Sequence, residues 1–178
     1  MQYAVYESVQ EAEIVELFRR TFSDSEGEKE GKLVGCLAKD LIKLTEGDDV
    51  YIFIALDGKR IVGCIMFSRL GCEDGTLAFL LSPVAVLPAY QRQGIGKGLI
   101  SFGLEAMRKM GVALVVTYGD IRFYTKTGFG PLAKSIVAPP FPLTFPEGWL
   151  GRTLDGSSLK PIHGKISCVA ALNEDCYW

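Results

Sequence analysis

One segment, residues 84–98, restricts the fold more than any other part of the chain. An apolar run that reads as a strand ends at Pro88, three glycines follow at alternate positions, and apolar side chains then recur at helical spacing as far as Met110. Glycines let the backbone approach a ligand closely, and the free N–H groups and dipole at a helix start favour negative charge. Arg92 and Lys97 add positive charge. The segment therefore predicts a site for a phosphate group.

The spacing of these glycines decides between the known types of phosphate-binding loop. A P-loop requires a glycine at the position of Gln91 and a serine or threonine at the position of Gly98. A dinucleotide-binding loop requires Gly-x-Gly-x-x-Gly and a later acidic residue for the ribose, whereas residues 112–117 contain no acid. Both of those loops are therefore excluded. The chain instead matches the pattern Gln/Arg-x-x-Gly-x-Gly/Ala at residues 91–96.

A second motif, Asp-Ile-Arg-Phe-Tyr-Thr-Lys-Thr-Gly-Phe, occupies residues 120–129. Asp120 is a suitable N-cap, and Gly128 is a suitable terminator for a helix of two turns. Together with the loop at residues 91–96, its Phe-Tyr-x-x-x-Gly-Phe pattern resembles the GNAT family of acetyl-CoA-dependent N-acetyltransferases. The resemblance is specific over residues 84–130, where both motifs lie.

The order of the predicted elements agrees with this resemblance. Apolar periodicity predicts a strand, two helices, three antiparallel strands, a helix, a strand and a further helix, in that order. The resemblance then implies an α/β fold of mixed α+β type. Its central sheet is mixed and mostly antiparallel, contains one splayed pair of parallel strands, and is flanked by helices.

Four local predictions bear on this architecture. Ser8 is expected to begin the first helix, with Glu11 completing a capping box. The polar residues 23–31 are expected to form a loop. The proline-rich residues 131–165 are expected to be a loop packed on the surface near the active site, and residues 165–172 a final strand.

The resemblance implies that acetyl-CoA is the co-substrate. In the family, the glycine-rich loop holds the pyrophosphate, and the pantetheine arm pairs with backbone groups of the strand that precedes the loop. The residues of this chain that the resemblance assigns to acetyl-CoA binding are Val84, Ala85, Val86, Gln91, Arg92, Gln93, Gly94, Ile95, Gly96, Lys97 and Gly98.

The resemblance makes Tyr124 the catalytic residue. A phenol with a pKa of about 10 is protonated at neutral pH, so it can donate to a departing thiolate whose parent thiol has a pKa of about 8.5. The alternative interpretation of Tyr124 is a packing residue. Where many relatives carry Asn and Ala, this chain has Thr117 and Asp120, a form closer to the bacterial branch often called YhbS-like.

No residue is clearly marked as the base that deprotonates the amine. Residues 76–87, the strand before the loop, contain no acid. Glu73 and Asp74 in the preceding turn and His163, the only histidine, are candidates, and Ser82 is suited only to a relay. The five cysteines include no Cys-x-x-Cys pair, which predicts neither a metal site nor a disulfide framework. Direct transfer is preferred to an acyl-enzyme.

Composition limits the domain count and the partners. With 178 residues, 48% of them hydrophobic, the chain is expected to form a single domain over residues 1–178. Within it, the resemblance implies that residues 84–130 form the cofactor-binding core and residues 131–178 the substrate side. The 19 basic and 21 acidic residues leave a net charge of −2 without blocks of like charge, so nucleic acid is not an expected partner.

The chain shows no signal peptide and no apolar run long enough to span a bilayer, so we expect a cytoplasmic protein without a membrane partner. It is compatible with a homodimer. The activity that the resemblance implies is transfer of the acetyl group of acetyl-CoA to a primary amine of a small molecule or peptide, by direct attack in a ternary complex and without a metal. The alternative is a non-catalytic acyl-CoA-binding sensor or interaction module, which would bind the cofactor without turnover.

Overall fold

One mixed sheet of eight strands organises the chain in a computed structural model, which describes residues 1–178 except for the side chain of Val9. The strands are β1 (Gln2–Val5), β2 (Val50–Asp57), β3 (Arg60–Cys72), β4 (Ala78–Val86), β5 (Leu114–Tyr118), β6 (Gly130–Pro131), β7 (Trp149–Thr153) and β8 (Ile166–Cys168). Their order is β1-β2-β3-β4-β5-β7-β6, and β8 pairs with β3. Only β4 and β5 are parallel to each other; the remaining pairs between the described strands are antiparallel. The predicted fold class is confirmed.

The parallel strands β4 and β5 pair over only part of their length. Their register runs from Ala78 opposite Leu114 to Leu81 opposite Thr117, and β4 continues beyond that point without a partner in β5. At the fork, the buried Thr117 hydroxyl donates a hydrogen bond to the Leu81 carbonyl at 2.9 Å. On the other edge of β4, the register with β3 shifts by one residue between Leu81 and Val84, which forms a bulge. The splayed pair is therefore present.

Helix α3 (Ile95–Lys109) packs on the sheet through small residues. A Cβ atom added at Gly98 would lie 2.7 Å from Cζ of Tyr3, and one added at Gly103 would lie 2.7 Å from Cε2 of Phe67. These distances are too short for a side chain, so both glycines allow the helix to approach the sheet closely. Gly111, with a φ of 79°, follows the helix and terminates it as its sequence position predicts.

Helix α1 (Glu11–Glu26) packs on strands β3 and β4, and helix α2 (Glu28–Leu44) packs against α1. A single residue joins the two helices. Gly27 adopts a φ of 101° and breaks the helix. The prediction of a loop over residues 23–31 is therefore wrong. Most of the polar residues of this stretch occupy exposed helical positions, which polarity alone does not distinguish from a loop.

The predicted capping box is also wrong. Residues Ser8–Gln10 form a short 3-10 helix, α1 begins at Glu11, and no described side chain caps either helix start. The carboxylate of Glu13 instead accepts the Ile61 N–H at 3.0 Å, which links α1 to the start of β3.

The C-terminal segment contributes strands to the sheet, although its prolines predict a loop. β7 lies inside the predicted loop of residues 131–165 and pairs with β5, with Leu150 opposite Thr117. The predicted strand over residues 165–172 is limited to the three residues of β8, and Ala170–Leu172 form a 3-10 helix. β7 is short and follows a proline-rich stretch, so it has no run of alternating residues long enough to identify it.

Candidate active site

A cleft of about 620 Å³ opens on the unpaired edge of β4. Its walls are the end of α1, the end of β4, the turn before α3, and the short helix α4 (Ile121–Tyr124). Nine of the eleven residues predicted to bind acetyl-CoA line this cleft: Val84, Ala85, Val86, Gln91, Arg92, Gly94, Ile95, Gly96 and Lys97. The glycine-rich motif (residues 91–96) and the tyrosine motif (residues 120–129) lie about 30 residues apart in sequence. In the structure they line the same cleft.

The turn before α3 presents unpaired N–H groups to the cleft. Gly94 precedes the helix in the left-handed region with a φ of 81°, and the Gly98 N–H already donates to the Gly94 carbonyl at 3.0 Å. The N–H groups of Ile95, Gly96 and Lys97 therefore have no acceptor within the helix. Arg92 is the only non-glycine residue of the described chain with a positive φ, 61°. A left-handed residue beside a helix N-terminus makes a concave group of N–H donors suited to an anion.

Two glutamines of the motif hold the turn in shape. The side-chain amide of Gln91 donates to the Val86 carbonyl at 3.0 Å, and that of Gln93 donates to the Ala89 carbonyl at 3.2 Å. Gln93 and Gly98 do not line the cleft: Gln93 braces the turn, and Gly98 faces Tyr3 of β1. Their assignment to cofactor binding remains a prediction.

Backbone groups of β4 alternate between the sheet and the cleft. The Ala85 carbonyl faces β3, 3.3 Å from the Cβ position of Gly63, whereas the Val86 carbonyl faces the opposite edge and accepts the Gln91 amide. Since neighbouring residues of a strand present their backbone to opposite edges, the N–H and C=O groups of Val84 lie on the cleft side with those of Val86. Val84 is therefore the residue of this strand whose backbone is best placed for a ligand amide.

Tyr124 ends α4 and is buried, with 8% of its surface exposed. Its ring makes edge-to-face contacts with Phe123 and Phe129 at centroid distances of 5.1 and 5.7 Å. A Cβ atom at Gly119 would lie 2.8 Å from Cε2 of Tyr124, so only glycine leaves room for the ring there. Burial raises the pKa of Tyr124, and the Thr117 hydroxyl opposes part of this rise. The phenol thus stays protonated through neutral pH.

The predicted caps of α4 are present. The Asp120 carboxylate accepts the Arg122 N–H at 2.9 Å, and Gly128, with a φ of 85°, ends the 3-10 turn that continues the helix. The Arg122 side chain holds the pKa of Asp120 below its usual value. Beyond the turn, Nη1 of Arg152 donates to the Thr127 carbonyl at 2.6 Å, so β7 helps to fix the motif.

A second cavity, of about 440 Å³, lies on the other side of Tyr124. Four residues line both cavities: Phe22, Glu26, Val84 and Tyr124. The second cavity is closed by α2 and by the C-terminal segment, including Phe145, Tyr177 and Trp178. The two spaces therefore meet at the fork of the sheet, next to the tyrosine.

The two cavities carry opposite charge. Arg92, Lys97 and Lys126 line the first cleft, and Glu26 is the one acidic residue in the part of its wall that the structure describes. Glu26, Glu30 and Asp120 line the second cavity, and no lysine, arginine or histidine is among the described residues around it. An anionic ligand is favoured in the first space and a cationic one in the second.

The three predicted base candidates lie away from both cavities. Asp74 accepts the backbone N–H groups of Thr76 and His163 at 3.0 and 3.3 Å, which lowers its pKa, and Glu73 lies beside Gly164. This turn is separated from Val84 by most of β4, about 20 Å at about 3.3 Å per residue. Glu73, Asp74 and His163 line neither cavity, whereas Ser82 lines the second one.

The five cysteines are unpaired, and of these only Cys176 lines either cavity. Sequence reasoning missed Glu26, Glu30 and Lys126 as residues of the site. Lys126 lies within the tyrosine motif, and its positive charge is a signal in the sequence that could have identified it as a phosphate-binding residue. No local pattern marks the two glutamates, since their position depends on how α1 and α2 cross the fork.

Comparison with known proteins supports the family assignment made from the motifs. The GNAT acetyltransferase domain model matches residues 48–131. The chain is 33% identical over 164 residues to a protein named uncharacterized N-acetyltransferase YjhQ from Escherichia coli. These residues make up 89% of this chain and 86% of the relative. It is 34% identical over 115 residues, 64% of either chain, to a protein named uncharacterized N-acetyltransferase YhbS from the same species.

Solved structures share the fold. The GNAT family N-acetyltransferase YhbS from Escherichia coli, in complex with CoA, superimposes with a TM-score of 0.79 at 23% identity, over 97% of this chain and 92% of that one. A GNAT family acetyltransferase from Brucella melitensis, in complex with acetyl-CoA, gives 0.66 at 25% identity over 97% of both chains. The chain belongs to the GNAT family of N-acetyltransferases. No helix of its described residues is long and apolar enough to cross a membrane.

Proposed function

We propose that this protein transfers the acetyl group of acetyl-CoA to a primary amine of a small molecule or peptide, by direct attack in a ternary complex. The observation that carries the proposal is the meeting of two cavities of opposite charge at Tyr124. Two ligands held in the two spaces have their reacting ends beside the same phenol, as a direct transfer requires.

The first cleft suits acetyl-CoA. Its pyrophosphate lies at the start of α3, against the N–H groups of Ile95, Gly96 and Lys97, with Arg92 and Lys126 supplying positive charge. The pantetheine arm runs along the open edge of β4 toward Val84. The relatives from Escherichia coli and Brucella melitensis crystallised with CoA and acetyl-CoA support this ligand.

Tyr124 acts as the general acid. The amine attacks the thioester carbonyl, the C–S bond breaks, and the thiolate takes the phenolic proton. Burial raises the pKa of Tyr124, so the phenol carries its proton at neutral pH. The substrate side is formed by residues of the C-terminal segment, which wall the second cavity. The residues present require no metal for this chemistry.

A turnover assay tests the proposal. Binding of acetyl-CoA is measured first by calorimetry, and free CoA is then followed by a thiol reagent across a panel of primary amines. Amine-dependent release of CoA, with the acetamide identified by mass spectrometry, is expected. Tight binding with no release for any amine would favour the non-catalytic acyl-CoA-binding module instead.

The single cysteine in the second cavity allows a further check. Cys176→Ser should leave turnover within about twofold of wild type, because direct attack forms no acyl-enzyme. Loss of turnover with trapping of an acetylated Cys176 would replace the ternary-complex mechanism by a covalent one.

A further inference from the structure

We propose that Glu26 binds the ammonium group of the acceptor and takes its proton, and that the second cavity selects an aromatic or apolar amine with no carboxylate beside its nitrogen. This inference rests on the proposed acetyl transfer and adds to it the missing base and the class of acceptor. Its starting point is the position of Glu26: among the described residues, Glu26 and Tyr124 are the only ionisable ones that line both cavities.

Glu26 is the last residue of α1, at the break made by Gly27. Its carboxylate is exposed to the cavities and forms no ion pair among the described residues, unlike Glu16 and Glu28 on the same helical pair. An unpaired carboxylate facing a reaction centre is free to accept a cation. Partial burial and the nearby charge of Glu30 raise the pKa of Glu26, which makes it a better proton acceptor.

The walls of the second cavity favour a cation on a flat body. Phe22, Tyr118, Phe145 and Tyr177 line it together with Glu26 and Glu30. Aromatic faces attract ammonium groups and pack against rings. A free amino acid would place its carboxylate near the two glutamates with no basic residue of the described cavity wall to offset it. The same amine without that carboxylate avoids the repulsion.

The protons balance with these two residues. The ammonium gives one proton to Glu26, and its lone pair then forms the C–N bond with the acetyl carbon. As the C–S bond breaks, Tyr124 gives its proton to sulfur, and the nitrogen of the tetrahedral intermediate returns a proton to the phenolate. Glu26 releases its proton to solvent. The products are an acetamide and the free thiol of CoA.

The test of selectivity compares amines with their amino acids. Phenethylamine, tyramine and tryptamine are assayed against phenylalanine, tyrosine and tryptophan. We expect kcat/KM for the amines to exceed that for the amino acids by at least about tenfold, because like charges repel across the cavity. Equal rates, or faster acetylation of the amino acids, would overturn the proposed acceptor class.

The test of Glu26 uses the best amine found. Glu26→Gln should lower kcat/KM by about 10²–10⁴-fold while the acetyl-CoA Kd stays within about threefold. Glu26→Asp should recover part of the rate. Asp24→Asn, on the same helix but outside both cavities, is the matched control and should leave the rate unchanged. A folded Glu26→Gln enzyme with wild-type turnover would exclude this residue as the base.

A pH profile separates a chemical role from a structural one. The other ionisable groups around the two cavities are Glu30, Tyr90, Arg92, Lys97, Tyr118, Asp120, Tyr124, Lys126, Cys176 and Tyr177. Since Glu26 must be ionised, kcat/KM should fall as the pH drops through its pKa. Glu30→Gln removes a like charge, so this fall should move to lower pH. A profile identical in wild type and Glu30→Gln would contradict the proposal.

Failure of this inference is distinguishable from failure of the proposed function. A protein that binds acetyl-CoA and acetylates no amine fails as a transferase. A protein that acetylates amines with the same rate after Glu26→Gln remains a transferase and uses a different base.

Discussion

Tyr124 is the residue at which the chemistry of the site is most sharply testable. Tyr124→Phe keeps the ring between Phe123 and Phe129 and removes only the hydroxyl. We expect turnover to fall by about 10²–10⁴-fold, the usual contribution of a general acid, and the acetyl-CoA Kd to change by less than about threefold. Because burial raises the pKa of Tyr124, ionisation of the phenol should cause no loss of wild-type rate below about pH 10.

The control for that variant is Tyr51→Phe. Tyr51 lies on β2, and its hydroxyl donates to Asp48 at 3.2 Å, outside both cavities. Its removal should leave turnover unchanged. If Tyr124→Phe matches the wild-type rate, the tyrosine is a packing residue and water protonates the leaving thiolate.

Substitutions at Gly96 test the assignment of the phosphate site. A Cβ atom there would lie 3.4 Å from Cζ of Phe123 and 3.6 Å from Cγ2 of Val86, so alanine fits while the larger valine must enter the cleft. Gly96→Ala should keep the acetyl-CoA Kd within about threefold, whereas Gly96→Val should raise it tenfold or more, about 1.4 kcal/mol. Calorimetric titration measures both, and a folded valine variant with unchanged affinity would refute the assignment.

At the scale of elements, the fork between β4 and β5 depends on Thr117. Its hydroxyl joins the two strands at their last paired position through the Leu81 carbonyl. Thr117→Val preserves the shape and removes a buried hydrogen bond, so we expect a loss of about 1–2 kcal/mol in the free energy of unfolding. Urea denaturation measures it.

Thr153→Val is the comparison for that variant. The Thr153 hydroxyl donates to the Ser157 carbonyl at 2.7 Å, but this hydrogen bond is exposed, so water replaces the lost partner. Thr153→Val should lower the free energy of unfolding by less than about 0.5 kcal/mol. Equal losses at the two positions would mean that the fork gains no special stability from Thr117.

Elements with strong local signals were predictable from the sequence. The β4–turn–α3 unit combines an apolar run, glycines and helical periodicity, and the Asp57-Gly58 turn between β2 and β3 marks a hairpin. The helix break at Gly27 and strand β7 were not predictable from the sequence. Packing against the rest of the molecule determines the conformation of both segments. The same limit applies to Glu26, which reaches the site only through the crossing of α1 over the fork.

At the scale of the whole molecule, the C-terminal segment (residues 131–178) is packed into the sheet and is not a separate unit. β7 extends the sheet beyond β5, and Trp149 and Trp178 are buried with 1% and 4% of their surface exposed. Nε1 of Trp149 donates to the Val137 carbonyl, and Thr144 donates through its hydroxyl to the Trp178 carbonyl, at 2.9 and 2.8 Å. We therefore expect the segment to unfold together with the rest of the chain.

The two tryptophans make this expectation measurable, because the chain has no others. Tryptophan fluorescence reports residues 131–178 alone, whereas far-UV circular dichroism reports all the helices and strands. The two urea transitions should coincide, as for a single cooperative domain, and acetyl-CoA at about 100 times its Kd should stabilise both by about 2.7 kcal/mol. Gly96→Val should reduce this stabilisation, since it weakens binding. A fluorescence transition at lower urea than the dichroism transition would divide the chain into two units and overturn the single-domain prediction.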